Sequence, residues 1–173
     1  KGVNSGYVPL GGVIISDEIA ATFSDRVFPG GLTYSGHPLA TAAAVATLDV
    51  MADEKIVENA ALMGEKVIKP LLEDLMSKHK VIGEIRGKGV FWALDLVTDR
   101  ATRSPLAPYG ASSPAMNELV AACKKLGLFP FNNYNRMHIC PPCNITEAEL
   151  REGFAILDQA FASIAHHYTG SDK

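Results

Sequence analysis

Lys1-Gly2-Val3-Asn4-Ser5-Gly6-Tyr7-Val8-Pro9-Leu10-Gly11-Gly12 opens the chain, and Gly31-Leu32-Thr33-Tyr34-Ser35-Gly36-His37-Pro38 follows about thirty residues after that lysine. The first run puts a primary amine at the head of a glycine-flanked turn, where small residues let the backbone approach a bound group closely. The second brackets Thr33, Tyr34 and Ser35 with glycines just ahead of Pro38, a residue suited to the first turn of a helix. Hydroxyls and free N–H groups in that position hold anions. Together the two turns suit a cofactor that needs an imine-forming amine and anchors for a phosphate.

Outward from these turns, Val13-Ile14-Ile15 reads as a short apolar strand, and Ser16 as the cap of a helix over 17–24. A helix with Ala42, Ala43, Ala44 and Ala46 runs from Pro38 to about Met51, its small residues pointing to close packing. From Glu54 to about Lys78, Ile56, Ala60, Met63, Val67, Leu71 and Leu75 recur at steps of three and four, predicting one long amphipathic helix kinked by Pro70. The period then changes. A glycine turn at 86–89 precedes a largely buried strand over 90–97, and residues 98–114 read as a loop. A helix over 115–125, a polar turn over 132–135 and a strand over 136–140 follow. Thr146 with Glu149 forms a capping box for a last helix, on which Leu150, Phe154, Leu157, Phe161 and Ile164 share one face. That helix is expected to end near His167.

The composition, 47% hydrophobic and 20% charged over 173 residues, allows a soluble globular core. A net charge of -3 with both signs interspersed offers no basic tract for nucleic acid or an anionic membrane. The apolar stretches fall well short of the roughly 20 residues that cross a bilayer. Cys140-Pro141-Pro142-Cys143 has the outward form of a redox or zinc dithiol. A redox thiolate is favoured at a helix N-terminus, however, and the helix signal begins only at Thr146. A zinc site needs two further ligands, and none is evident nearby. These cysteines and Cys123 are therefore expected to be buried and reduced, and no metal site is expected. His79, His166 and His167 fall at polar helix ends and are expected to be solvated.

Four ordered motifs resemble the class III, or omega, aminotransferases, pyridoxal-phosphate enzymes of fold type I. They are the run after Lys1, the Thr33-Tyr34-Ser35-Gly36-His37-Pro38 turn, Arg86-Gly87-Lys88-Gly89 with its apolar strand, and Pro141-Pro142-Cys143-Asn144-Ile145-Thr146-Glu147. The resemblance covers nearly the whole chain. It implies an α/β fold in which residues 1–53 are the tail of the large pyridoxal-phosphate domain, 54–80 a connecting helix, and 81–173 a small C-terminal α+β domain. It also implies that the groups stacking on the pyridine ring and pairing with its nitrogen lie upstream of Lys1, so the 173 residues are expected to be a C-terminal portion.

By the same resemblance Lys1 is the Schiff-base lysine and proton shuttle, and Thr33 binds the phosphate of a partner subunit's cofactor, with Gly31 and Ser35 as weaker members of that cradle. A homodimer with shared active sites follows, with a tetramer as a further assembly, in the cytoplasm. The implied substrates are an amine or omega-amino acid, of the taurine, beta-alanine or 4-aminobutyrate type, and a keto acid such as pyruvate. An aminomutase, a decarboxylating member of the fold and a non-catalytic fragment are the alternatives.

The sequence departs from the family pattern in ways that bear on substrate. Gly30 stands where a histidine is frequent. Phe131 lies in the loop where many members carry a substrate-gripping arginine, and His138 stands where others carry an arginine three residues before the double proline. Arg136, two residues earlier and on the same strand face, offers a bidentate grip on a carboxylate or sulfonate or else packs the domain. Tyr7 is expected to line the pocket. His37 is read as a turn residue, and Arg86 as fixing its turn against the large domain.

Overall fold

The computed structural model describes residues 1–171. The chain divides into two compact units, Lys1–Lys55 and Ile56–Lys173.

The first unit carries the two glycine turns and two helices, α1 (Asp17–Ala21) and α2 (Pro38–Asp53). Ser16 caps α1 as expected, its hydroxyl accepting from the Ile19 N–H. The helix is shorter than the sequence predicts: Thr22, Phe23 and Ser24 continue it only as turns, each N–H reaching back three residues. Residues 13–15 form no strand, and their side chains are 88%, 102% and 51% exposed. A strand needs a neighbour to satisfy its backbone, and among the described residues none lies beside this segment. In α2, Ala40 and Ala44 are buried, whereas Leu39, Val45 and Leu48 are exposed. The alanine-rich helix packs inside its unit along one narrow stripe.

The second unit is an antiparallel sheet with helices on its core face. Helix α3 (Ile56–Met63) passes through a π-helical segment, Gly64–Ile68, into α4 (Lys69–Lys78). The predicted kink thus appears as a widened turn just ahead of Pro70. Proline has no N–H for the carbonyl four residues back and its ring crowds that carbonyl, so a locally wider helix relieves the conflict. Lys55, with φ of 51°, separates α2 from α3 and shortens the predicted long helix at its start. The amphipathic stripe is turned inward, with Val67, Ile68, Leu72 and Leu75 at most 3% exposed.

Strand β1 (Ile82–Lys88) pairs with β2 (Phe91–Asp99), which carries the short β3 (Ser104–Pro105) and pairs with β5 (Arg136–Ile139); β5 pairs in turn with β4 (Phe131–Asn133). Residues 86–88, expected in a turn, are strand. The reversal is confined to Gly89 and Val90, since Lys88 already faces Phe91. This tight turn is possible because Gly89 takes φ of 56° and its carbonyl accepts the Trp92 indole N–H at 2.7 Å. A Cβ on Gly64 would overlap the Gly89 backbone, so the helix and the hairpin tip meet at van der Waals distance only because position 64 lacks a side chain.

Helix α5 (Pro114–Lys125) begins on a Ser113 cap, and α6 (Glu147–Ser163) on the predicted capping box, with Thr146 Oγ1 accepting from Glu149 N and Thr146 N donating to Glu149 Oε2. These bonds, the side-chain bond from Thr146 first, hold the Glu149 carboxyl below the ordinary carboxylate range. Leu150, Phe154, Leu157, Phe161 and Ile164 are all buried. They pack with Leu94, Leu96, Met116, Leu119 and Met137 in one apolar core, and a 3-10 turn, Ala165–His167, closes the helix.

Two surface expectations change, those for His79 and for the exposed cysteines. His79 is buried, 9% exposed, and bonds Asp158 at 2.5 Å across α4 and α6. Cys123 is buried but Cys140 and Cys143 are exposed, because β5 ends at Ile139 and the double proline carries the chain outward. Arg86 pairs with Asp95 on the adjacent strand of its own sheet. Among the described residues, no helix is long and apolar enough to cross a membrane.

Candidate functional site

In the first unit the Lys1 side chain lies against the turn it heads, since a Cβ on Gly6 would touch its Cγ at 3.7 Å. The turn is built by Asn4, which is 2% exposed: its Nδ2 donates to the Val8 carbonyl at 2.6 Å and its Oδ1 accepts from Gly6 N at 3.2 Å. Tyr7 N closes the turn on the Asn4 carbonyl at 3.1 Å. With Ser5 at φ of 55° and Gly6 at 81°, the backbone reverses tightly and leaves Lys1 exposed on a fixed base. Asn4 is the residue that motif reading passed over. Its signal was present, because an asparagine two residues before a glycine favours this side-chain-to-backbone turn. Tyr7, expected in the pocket, is 84% exposed.

The second turn is held by Ser35 N on the Leu32 carbonyl and His37 N on the Tyr34 carbonyl. His37 has the structural role expected of it, capping α2 by accepting from Leu39 N at 3.2 Å. Gly31, Thr33 and Ser35 are exposed, and a Cβ at Gly31 would meet nothing within 4 Å. The Thr33 hydroxyl and N–H have no partner among the described residues. A turn with open donors ahead of a 16-residue helix is chemically suited to phosphate oxygens. A primary amine and such a cradle fit the two attachment chemistries of a phosphorylated aldehyde cofactor.

The second unit contributes a different group. On the sheet face opposite the core, His138 lies between two rings, Phe131 at 5.1 Å and Phe91 at 6.0 Å between centroids. Burial, then the Arg136 charge, pushes the His138 pKa down, which keeps the imidazole neutral near pH 7. Its Nδ1 is buried without a hydrogen-bond partner. Arg136 faces Asp95 on β2 and Asn133 on β4. Asp95 is already engaged by Arg86, and the Arg136 guanidinium has no ion pair or hydrogen bond among the described residues. A cavity of about 220 Å³ opens between this strand pair and α6, lined by Phe131, Met137, His138, Leu150 and Phe154 among others, and Arg136 stands outside its lining. Lys1, Tyr7, Gly31, Thr33 and Ser35 thus belong to one unit, Phe131 and Arg136 to the other.

The family model described as Aminotransferase class-III matches residues 1–161. Taurine–pyruvate aminotransferase of Bilophila wadsworthia is 32% identical over 181 residues, covering 97% of this chain and 38% of that protein. 5-Aminovalerate aminotransferase DavT of Pseudomonas aeruginosa is 35% identical over 170 residues, covering 95% and 37%. The structure of taurine:2-oxoglutarate aminotransferase from Bifidobacterium kashiwanohense, in complex with PLP and glutamate, superposes with a TM-score of 0.87 at 38% identity, covering 96% of this chain and 37% of that one. The chain spans a little over a third of the length of these relatives.

Proposed function

Because the chain belongs to the class-III aminotransferase family, we propose that it is part of a pyridoxal-phosphate-dependent enzyme that moves an amino group from an amine or omega-amino acid to a keto acid such as pyruvate. The observation that carries this reading is the exposed Lys1 amine on a backbone turn fixed by buried Asn4. It occurs in the same unit as a second turn whose Thr33 donors are unpaired. Pyridoxal phosphate, when bound, supplies an aldehyde and a ring that stabilises negative charge at the substrate carbon.

The residues of this chain have separable roles in that chemistry. The Lys1 amine holds the aldehyde, and once freed carries a proton from the substrate alpha carbon. Asn4 acts through the turn, setting where that amine stands. Thr33, supported by Gly31 and Ser35, binds phosphate oxygens, at a partner subunit's cofactor in a homodimer with shared sites. The exposed apolar residues of the first unit, among them Val13, Ile14 and Val27, suit packing against further polypeptide in such an assembly. In this reading residues 1–53 complete a large cofactor domain and 81–173 form a small domain joined by 54–80, in a cytoplasmic enzyme.

Substrate recognition falls to Arg136, whose free guanidinium matches a carboxylate or sulfonate bidentately. Neutral His138 adds no competing charge, Phe131 supplies apolar surface beside it, and Tyr7, exposed in the first unit, is a second aromatic group available to a substrate. Taurine, beta-alanine and 4-aminobutyrate are donors of this type. The name of the Bilophila wadsworthia relative supports taurine among them.

The test is spectroscopic and kinetic. Borohydride reduction of the purified protein is expected to fix the cofactor on the peptide that begins at Lys1, and Lys1→Ala to abolish both the fixation and transamination. Arg136→Met is expected to retain cofactor absorbance and lower kcat/KM for taurine or beta-alanine about 10- to 100-fold, the worth of a charge-assisted bond pair. Cofactor fixed elsewhere would overturn the role of Lys1. An unchanged kcat/KM in Arg136→Met would overturn that of Arg136.

A further inference from the structure

We propose that Glu118, His166 and His167 form a binding site for a divalent transition-metal ion of the zinc type, joining α5 to the 3-10 turn after α6. Their ligand atoms all lie within 4.8 Å of one another. His167 Nε2 is 3.0 Å from Glu118 Oε2, and His166 Nε2 is 3.7 Å from the same oxygen. A tetrahedral zinc with ligand bonds of about 2.1 Å has ligand-to-ligand edges of about 3.4 Å, and the two observed edges straddle that length. Two imidazoles and one carboxylate leave a fourth position for water, the pattern of an open three-ligand site. This donor set selects zinc, cobalt, nickel or copper over calcium and magnesium.

The chemistry of His166 sets the site apart from a chance contact. Its Nδ1 lies 3.1 Å from the Ser163 carbonyl, which can only accept, so Nδ1 is the donor and Nε2, on the side of Glu118, is the nitrogen left to ligate an ion. A ligating histidine is oriented in this way when its other nitrogen donates to a carbonyl. At 3.7 Å, His166 Nε2 makes no hydrogen bond with Glu118, so the third group converges on the carboxylate without bonding to it. An ion would engage all three.

The scaffold is rigid on both sides. Leu119, next to Glu118, and Ile164, two residues before His166, are fully buried. The side chains of His166, Glu118 and His167 are 63%, 41% and 27% exposed, open to an ion from solvent. The site uses none of the residues assigned to amino transfer and does not rest on that reading.

The experiment is calorimetric titration of zinc chloride into the chelator-treated full protein, repeated with cobalt to read the visible ligand-field bands. One saturable ion per chain is expected, with cobalt bands of a nitrogen and oxygen ligand set. His166→Ala and Glu118→Gln, both at accessible positions, are each expected to weaken binding about tenfold or more. The Cys140→Ser, Cys143→Ser double variant is expected to bind as the parent does. No saturable binding, unchanged binding in His166→Ala and Glu118→Gln, or thiolate charge-transfer bands lost in the cysteine variant would each overturn the site.

Discussion

Gly64→Ala sets two opposed effects against each other at one atom. In an ordinary helix this substitution stabilises by about 0.5–1 kcal/mol, because alanine loses less backbone entropy than glycine. Here the new methyl would overlap the carbonyl group and Cα of Gly89. That neighbour is backbone in a reversal with φ of 56°, and its carbonyl is committed to the Trp92 indole at 2.7 Å, so it has little room to give. Overpacking of this kind costs about 1–3 kcal/mol. Displacing the carbonyl weakens a hydrogen bond worth about 0.5–1.5 kcal/mol. The clash outweighs the propensity, leaving a net destabilisation of about 1–3 kcal/mol. In urea, with a slope of about 2 kcal/mol per M, the midpoint falls by about 1 M. Trp92 reports the transition directly, being the single tryptophan of the 173 residues and packed at this contact. A midpoint equal to or above that of the parent would refute the reasoning, because it would mean that the helix and the hairpin tip are free to separate.

Two further outcomes follow from ionisable groups. The hydrogen bond from His79, with Lys78 as a lesser contributor, holds the Asp158 carboxyl below its ordinary range. A depressed carboxyl stabilises fully above its unfolded value, near pH 4, and loses that contribution as pH falls through the folded value. Asp158→Asn is therefore expected to cost about 1 kcal/mol at pH 7, modest because the carboxylate is 41% exposed. The variant and parent curves should converge in acid, and a gap that persists at pH 2 in denaturation curves would contradict the assignment. Burial pushes the Cys123 thiol up to about 11, so at pH 8 only about one molecule in a thousand carries the thiolate. A disulfide reagent is expected to label exposed Cys140 and Cys143 and to reach Cys123 only in denaturant. Prompt labelling of all three in the native protein would show that the core around α5 opens.

What the sequence made legible was local. The Thr146 capping box, the Ser16 cap and the inward stripe of α6 each depend on residues within a few positions of one another, and spacing alone identifies them. The resemblance likewise rested on contiguous motifs. Features that depend on distant partners were misjudged. Val13-Ile14-Ile15 has the composition of a strand, but composition does not supply the neighbour that a ladder requires. His79 sits at a helix end where solvation is the ordinary expectation, yet Asp158, 79 residues on, gives it a reason to be buried. The convergence of Glu118 with His166 and His167 is of the same kind. It joins two elements whose sequence separation hides it.

The substrate role proposed for Arg136 turns on how one carboxylate is shared. On the open face of the sheet Asp95 of β2 stands opposite Glu84 on β1 and Arg136 on β5, and Arg86, diagonal to it on β1, reaches its carboxylate. Arg86 takes it, with Glu84 at 3.7 Å as a second anionic neighbour, and is neutralised within the sheet. Arg136 is left without an ion-pair partner among the described residues, with His138, whose protonation it opposes, two residues along the same strand. A buried or half-buried cation without a partner is costly for a fold alone, whereas paired arginines such as Arg86 and Arg151 serve stability at no such cost. An arginine without an ion-pair partner among the described residues is open to a counter-ion from outside the second unit, and in the proposed reading that counter-ion is the substrate's acidic group. This supports the proposed role of Arg136 in gripping an acidic substrate over its alternative as a domain-packing arginine, although the residue types at Phe131 and His138 depart from the family's arginines.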